Sequence, residues 1–172
     1  MRKLVCILLS ILFLTGCNSK AIKNNDVKTI MSHKVDEFSG YGKDYTIKHA
    51  KEDGFFVEDN IPKAAPTEMI RFIEHVWQDK AIDLSIAKVK DGNLILSYLI
   101  YRNDTISVLD YNTQDKTYKI SEYKYITYDY DNENGIQSRY LTNDKNLEGT
   151  NKLTEKEKSN SYYLCSYQIA EN

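Results

Sequence analysis

Met69, Ile70, Phe72, Ile73, Val76 and Trp77 recur at spacings of three and four, with Arg71, Glu74, His75 and Gln78 between them. That period predicts an amphipathic helix. Pro66 or Thr67 opens it, Glu68 places negative charge in the first turn, and Asp79-Lys80 closes it. A shorter helix is predicted after Thr46, a fair N-cap, with Ile47 and Ala50 on one face and Gly54 ready for the left-handed position beyond its end. Phe55-Phe56-Val57 then reads as a short buried strand, and Asp59 to Pro66, with two prolines, as a loop.

Beyond Lys80 the period changes to two. Ile82, Leu84 and Ile86 alternate with Asp83, Ser85 and Ala87, which predicts a half-buried strand. Asp91-Gly92 is a strong two-residue hairpin turn, and Asn103-Asp104 a weaker one, since both residues tolerate positive φ. Between them, Leu94 to Tyr101 is nearly all apolar and suits a central strand. Thr105 to Tyr111 predicts the next strand. Tyr118 to Tyr130 predicts a long one whose competing faces imply a bulge. Ile136 to Leu141 reads as an edge strand inside an otherwise polar, mobile excursion from Asp131 to Asn160, and Ser161 to Ile169 as the last strand. Helix, strand, helix and then a run of strands predicts an α+β fold. In it, one main helix packs on an antiparallel meander sheet of about five or six strands, with a short N-terminal helix.

The start of the chain obeys a different pattern. Met1-Arg2-Lys3 precedes the apolar run Leu4 to Leu14, in which Ser10 is the one polar residue. A basic start, a short apolar run and a small-residue exit describe an export signal. The run is well short of the roughly 20 residues that span a bilayer. Leu14-Thr15-Gly16-Cys17 resembles the lipobox of bacterial lipoproteins. The resemblance implies a diacylglyceryl group on the Cys17 thiol and cleavage between Gly16 and Cys17. Two or more acyl chains then hold the protein stably, each buried methylene contributing about 0.8 kcal/mol. The expected organisation is a signal peptide over 1–16, lipidated Cys17 and a tether over 17–43, and a single α+β domain over 44–172. Val35 and Phe38 are the tether residues with the means to dock on that domain. The expected location is the cell membrane, anchored by palmitate-type chains and facing outward.

Composition narrows the partners. The net charge is −2, and loss of Arg2 and Lys3 with the leader makes it more negative by two. Such a chain has no electrostatic case for nucleic acid, and its membrane contact runs through the lipid on Cys17. Of three cysteines, Cys6 leaves with the leader and Cys17 takes lipid, so Cys165 remains alone and reads as a small core residue of the last strand. Tyrosine is abundant, at 14 residues, and all but Tyr41 and Tyr45 lie from Tyr98 onward, which supports a sheet first and a binding surface second.

A broader likeness rests on Thr46-x-x-x-Ala50-x-x-x-Gly54-Phe55-Phe56-Val57, then Phe72-Ile73-Glu74-x-Val76, Asp79-Lys80 and the Ile82-Leu84-Ile86 strand. With the Asp91-Gly92 meander and Tyr162-Tyr163-Leu164-x-x-Tyr167, this resembles small lipoproteins of low-GC Gram-positive bacteria that carry a domain of unknown function. The likeness spans roughly Tyr45 to Tyr167. It implies a compartment and a fold, and no activity.

No catalytic set stands out. His33, His49 and His75 are far apart and have no zinc-site spacing, no Gly-x-Ser-x-Gly elbow occurs, and no glycine loop cradles phosphate. Asp129-Tyr-Asp131-Asn-Glu133-Asn-Gly135 fails as a calcium loop, with Asn134 where glycine is required and Tyr140 where the bidentate glutamate is required. No cofactor and no metal are expected. The candidate binding surface is an aromatic platform of Tyr118, Tyr123, Tyr125, Tyr128 and Tyr130, suited to a glycan or peptide. The alternative is cross-strand packing, which such pairs stabilise by about 0.2–1 kcal/mol each. The expected function is a non-catalytic binding or accessory module of the envelope, whose partner is an envelope protein, a peptide or a wall glycan. The second reading is a wall-acting enzyme or enzyme inhibitor, which requires a pocket with two carboxylates about 5–9 Å apart.

Overall fold

A computed structural model describes residues 24–42, 44–58 and 61–169. The predicted signal peptide, Cys17 and the first residues of the tether lie outside the described residues. Among the described residues no helix is long and apolar enough to cross a membrane.

The fold is α+β, but its strands divide into two sheets. β1 (Phe56–Glu58), β2 (Ile82–Lys90), β3 (Asn93–Arg102), β4 (Thr105–Asn112) and β5 (Thr117–Tyr123) form a five-stranded sheet in that order. β6 (Tyr125–Asp131), β7 (Ile136–Thr142) and β8 (Tyr162–Gln168) form a three-stranded one. Strands β2 to β5 are the expected meander. β1 joins it in parallel, Phe56 beside Ile86 and Glu58 beside Lys88. The parallel pairing follows from the helix between β1 and β2, because a helical crossover returns the chain in its original direction. A single antiparallel sheet of five or six strands is thus corrected, among the described residues, to eight strands in two sheets, one of them mixed.

Both hairpins form as predicted. Asp91 and Gly92 have φ of 51° and 79°, and Asn103 and Asp104 have φ of 51° and 58°. Positive φ at both central residues matches the right-handed strand twist. The long strand over Tyr118–Tyr130 is broken at Lys124, where the chain passes from β5 in one sheet to β6 in the other. The register shift lies instead between Arg139 and Tyr140, in the β7–β8 ladder. β7, expected at an edge, is the central strand of its sheet. The polar excursion folds back as a 3-10 turn (Lys145–Leu147) and a short helix, for which Thr154 is the N-cap, and Leu147 and Leu153 are buried beneath it.

Four α-helices are described: α1 (Asn24–Ser39), α2 (Ile47–Glu52), α3 (Thr67–Trp77) and α4 (Glu155–Ser159). The stretch read as a tether is therefore helical from Asn24, and α1 is longer than the helix expected to be the main one. Met31 and Phe38 are buried in its contact with the sheet, and Val35 is half-buried. α2 has the expected Thr46 cap, whose side chain accepts from His49 N–H while His49 Nδ1 accepts from Thr46 N–H at 3.1 Å. α3 buries Met69, Phe72 and Ile73, but Ile70 and Trp77 point to solvent, so its apolar stripe is narrower than the sequence implies.

These elements stack in layers. α1 and α2 cover one face of the large sheet through Ala87, Leu96, Tyr98, Ile100, Leu109 and Tyr111. α3 and the small sheet share the other face, where Leu84, Ile86, Leu99, Ile106 and Val108 meet Ile126, Leu141, Leu164 and Cys165.

Candidate functional site

A cleft lies where α3 ends. Lys80 N–H reaches back to His75 O at 2.8 Å and Asp79 N–H to Val76 O at 3.1 Å, which closes the helix through a left-handed Asp79 with φ of 52°. Beside it stands the Asn103-Asp104 hairpin. Tyr101, buried at the end of β3, ties the two together: its hydroxyl donates to Asp79 Oδ1 at 2.8 Å and lies 3.5 Å from Asp104 Oδ1. Burial, then the hydrogen bond to Asp79 and the nearby carboxylate charges, hold the Tyr101 phenol protonated far above its usual value. Three of the five non-glycine residues with positive φ among the described residues (Asp79, Asn103 and Asp104) therefore gather at one place.

The cleft has a volume of about 630 Å³. Val76 and Trp77 line it from α3, Thr105 from β4, Lys124, Tyr125 and Ile126 from the crossing between the sheets, and Glu148 from the turn before α4. Trp77 is 64% exposed. Flat aromatic surface from Trp77 and Tyr125 thus meets a rim of amide, hydroxyl, carboxylate and ammonium groups. A sugar ring has that same division, with apolar C–H faces and polar edges.

The five tyrosines of the expected platform do not share a surface. Tyr118 is exposed on the helix side of β5, while Tyr123 turns to the opposite face and packs on Tyr162 with ring centroids 5.8 Å apart. Tyr125 lines the cleft. Tyr128 lies under the Arg139 guanidinium, 4.9 Å from the ring centroid, and Tyr130 is half-buried in β6. Even on one regular strand Tyr118, Tyr128 and Tyr130 would face away from Tyr123 and Tyr125, and the break at Lys124 further divides the five between the two sheets.

Other sequence candidates resolve as structure. His33 and His49 are exposed, and no group of His, Cys, Asp and Glu among the described residues is placed to hold a metal ion. Asp131 caps its own turn, accepting from the N–H groups of Glu133 and Asn134. Burial, with the Glu58 charge adding to it, pushes the Cys165 thiol up to about 12, so it stays a protonated core residue.

A polar cluster that sequence reasoning did not find joins the two sheets. Ser97 Oγ and Tyr162 OH both donate to Asp110 Oδ1, the latter at 2.8 Å, and Lys88 Nζ donates to Tyr162 OH at 3.2 Å. Tyr163 OH donates to Glu58 Oε1 at 2.6 Å. Burial lowers the Lys88 pKa against the pull of Asp110 and Glu58, and it raises that of Glu58. Ser97 has no solvent exposure, so this cluster orients β8 on the large sheet rather than offering a nucleophile. Its members lie up to 105 residues apart, out of reach of any local pattern.

No family model, no curated protein and no solved structure matches this chain.

Proposed function

We propose that the protein is a lipid-anchored envelope protein, moored outward by Cys17, whose non-catalytic domain binds a wall saccharide in the Trp77–Tyr125 cleft. The lipobox-like Leu14-Thr15-Gly16-Cys17 supports the location. One observation carries the binding reading: a tryptophan 64% exposed beside a tyrosine, on a cleft rimmed by hydrogen-bonding groups. Leaving so large an apolar surface in water forgoes hydrophobic stabilisation that a stacked ligand recovers.

Trp77 is the sole tryptophan, so intrinsic fluorescence reports the cleft directly. Titration with soluble peptidoglycan fragments is expected to shift Trp77 emission saturably. Tyr125→Ala is expected to weaken binding at least ten-fold without moving the melting temperature. An emission spectrum indifferent to these fragments overturns the reading. For the anchor, Cys17→Ser is expected to abolish fatty-acid labelling and release the protein from membranes. Retention on the membrane overturns it.

Asp104 and Glu148 line the same cleft and favour, as the second reading, a hydrolase acting on the same material. Release of new reducing ends from purified wall would choose it.

A further inference from the structure

The outer edge of β5 has its own chemistry. β5 is a terminal strand of the large sheet, paired on one side with β4 alone. Glu122 C=O accepts from Asn143 Nδ2 at 2.8 Å, and Lys124 N–H donates to Thr142 O at 3.3 Å. Both groups therefore point away from β4. Backbone groups of alternate residues in a strand share a side, so Tyr118 and Ile120 also aim their N–H and C=O outward, where no strand pairs with them. The same two residues expose their side chains, 57% for Tyr118 and 46% for Ile120. These side chains form one wall of a groove of about 450 Å³ whose other wall is Val27, Met31 and Val35 of α1.

We propose that this edge is a docking site for one extended peptide strand with the pattern apolar–acidic–apolar, supplied by a partner protein. The backbone of the added strand completes the ladder at Tyr118 and Ile120. Its two apolar side chains enter the groove against α1. The residue between them projects to the other face of the sheet, where it meets Lys119, which is exposed and shares that face with its ladder partner Asp110.

Charge and register both exclude a second copy of this chain as the occupant. Antiparallel self-pairing of Tyr118 with Ile120 places Lys119 opposite its own copy, and like charges directly opposite are destabilising. A register shifted one way needs Glu122, whose carbonyl is already taken by Asn143. A register shifted the other way needs Lys116, which sits in a turn with φ of 54° and cannot continue the strand. An acidic residue opposite Lys119 meets none of these obstacles.

The test uses the full-length protein in mild detergent and a fluorescein-labelled heptapeptide with valine–glutamate–valine at its centre. Fluorescence anisotropy is expected to show saturable binding, at least ten-fold weaker when lysine replaces the central glutamate. Lys119→Glu is expected to reverse that order. Ile120→Pro removes an outward N–H without costing a bond to β4, so it is expected to fold and to bind at least ten-fold more weakly. If that variant fails to fold, a peptide N-methylated at its valines carries the same backbone test on the unaltered protein and is expected to lose binding to the same extent. Equal binding of the two charge forms, binding that survives N-methylation, or no binding of either peptide overturns the proposal. So does concentration-dependent self-association in sedimentation that Tyr118→Lys abolishes, since it gives the edge to a second copy.

Discussion

Asp129 holds down the segment that follows β7. Lys158 Nζ approaches Asp129 Oδ2 at 2.8 Å, and Leu153 N–H donates to Oδ1 at 2.8 Å. Burial alone would raise this carboxyl, but those two hydrogen bonds and the Lys158 charge outweigh it and hold the pKa below the ordinary value. A carboxyl depressed on folding contributes stability above its unfolded value of about 4 and loses it as pH falls through the lower folded value. Urea unfolding from pH 7 to pH 3 is therefore expected to show a stability loss below about pH 4 that Asp129→Asn flattens. At neutral pH that substitution is expected to cost about 1–2 kcal/mol, since both side chains keep some solvent screening. Lys116 is the converse case. It holds φ of 54° in the turn before β5 and is exposed. Lys116→Gly is expected to stabilise by about 0.5–1 kcal/mol in the same assay, the relief of left-handed strain exceeding glycine's entropy cost.

Among the elements, α1 departs furthest from expectation. Its apolar residues Val27, Met31, Val35 and Phe38 step by four, four and three, a helical stripe that was present in the sequence. Polar and charged neighbours dilute it. Phe38 shows what the stripe does: it is fully buried, with ring centroids 5.8 Å from Phe55 and 6.1 Å from Tyr111. Phe38→Ala is expected to cost about 3–5 kcal/mol in chemical denaturation, as for a buried aromatic in a core. A tether helix lying free of the domain would lose nothing, so the measurement separates the two descriptions. The break at Lys124 was harder to read. Neither glycine nor proline marks it, and alternation continues on both sides, so only the pairing partners reveal that two strands are present.

At the scale of the whole molecule, the two sheets and α3 share one core, which ties their stabilities together. Leu164 of the small sheet is fully buried in it. Leu164→Ala is expected to cost about 2–5 kcal/mol and to lower hydrogen-exchange protection in the large sheet, at Leu99 and Val108, by the same amount. Protection lost only in β6 to β8 would mean that the sheets unfold separately. The aromatic cleft depends on the same arrangement. Trp77, Asn103, Tyr125 and Glu148 come from four separate stretches and meet only because the small sheet crosses at Lys124.

Residues close in sequence determined what was legible without a structure. Two hairpins needed only Asp91-Gly92 and Asn103-Asp104, α3 needed only its spacing, and α2 needed only Thr46, because turn geometry, helical period and capping are settled within a few residues. The division into two sheets, the docking of α1, the exposure of Trp77 and the clasp of Tyr162 on Asp110 were decided by the tertiary structure. Each rests on which distant surface a residue meets, and the alternation of apolar and polar positions says that a face is buried without saying against what.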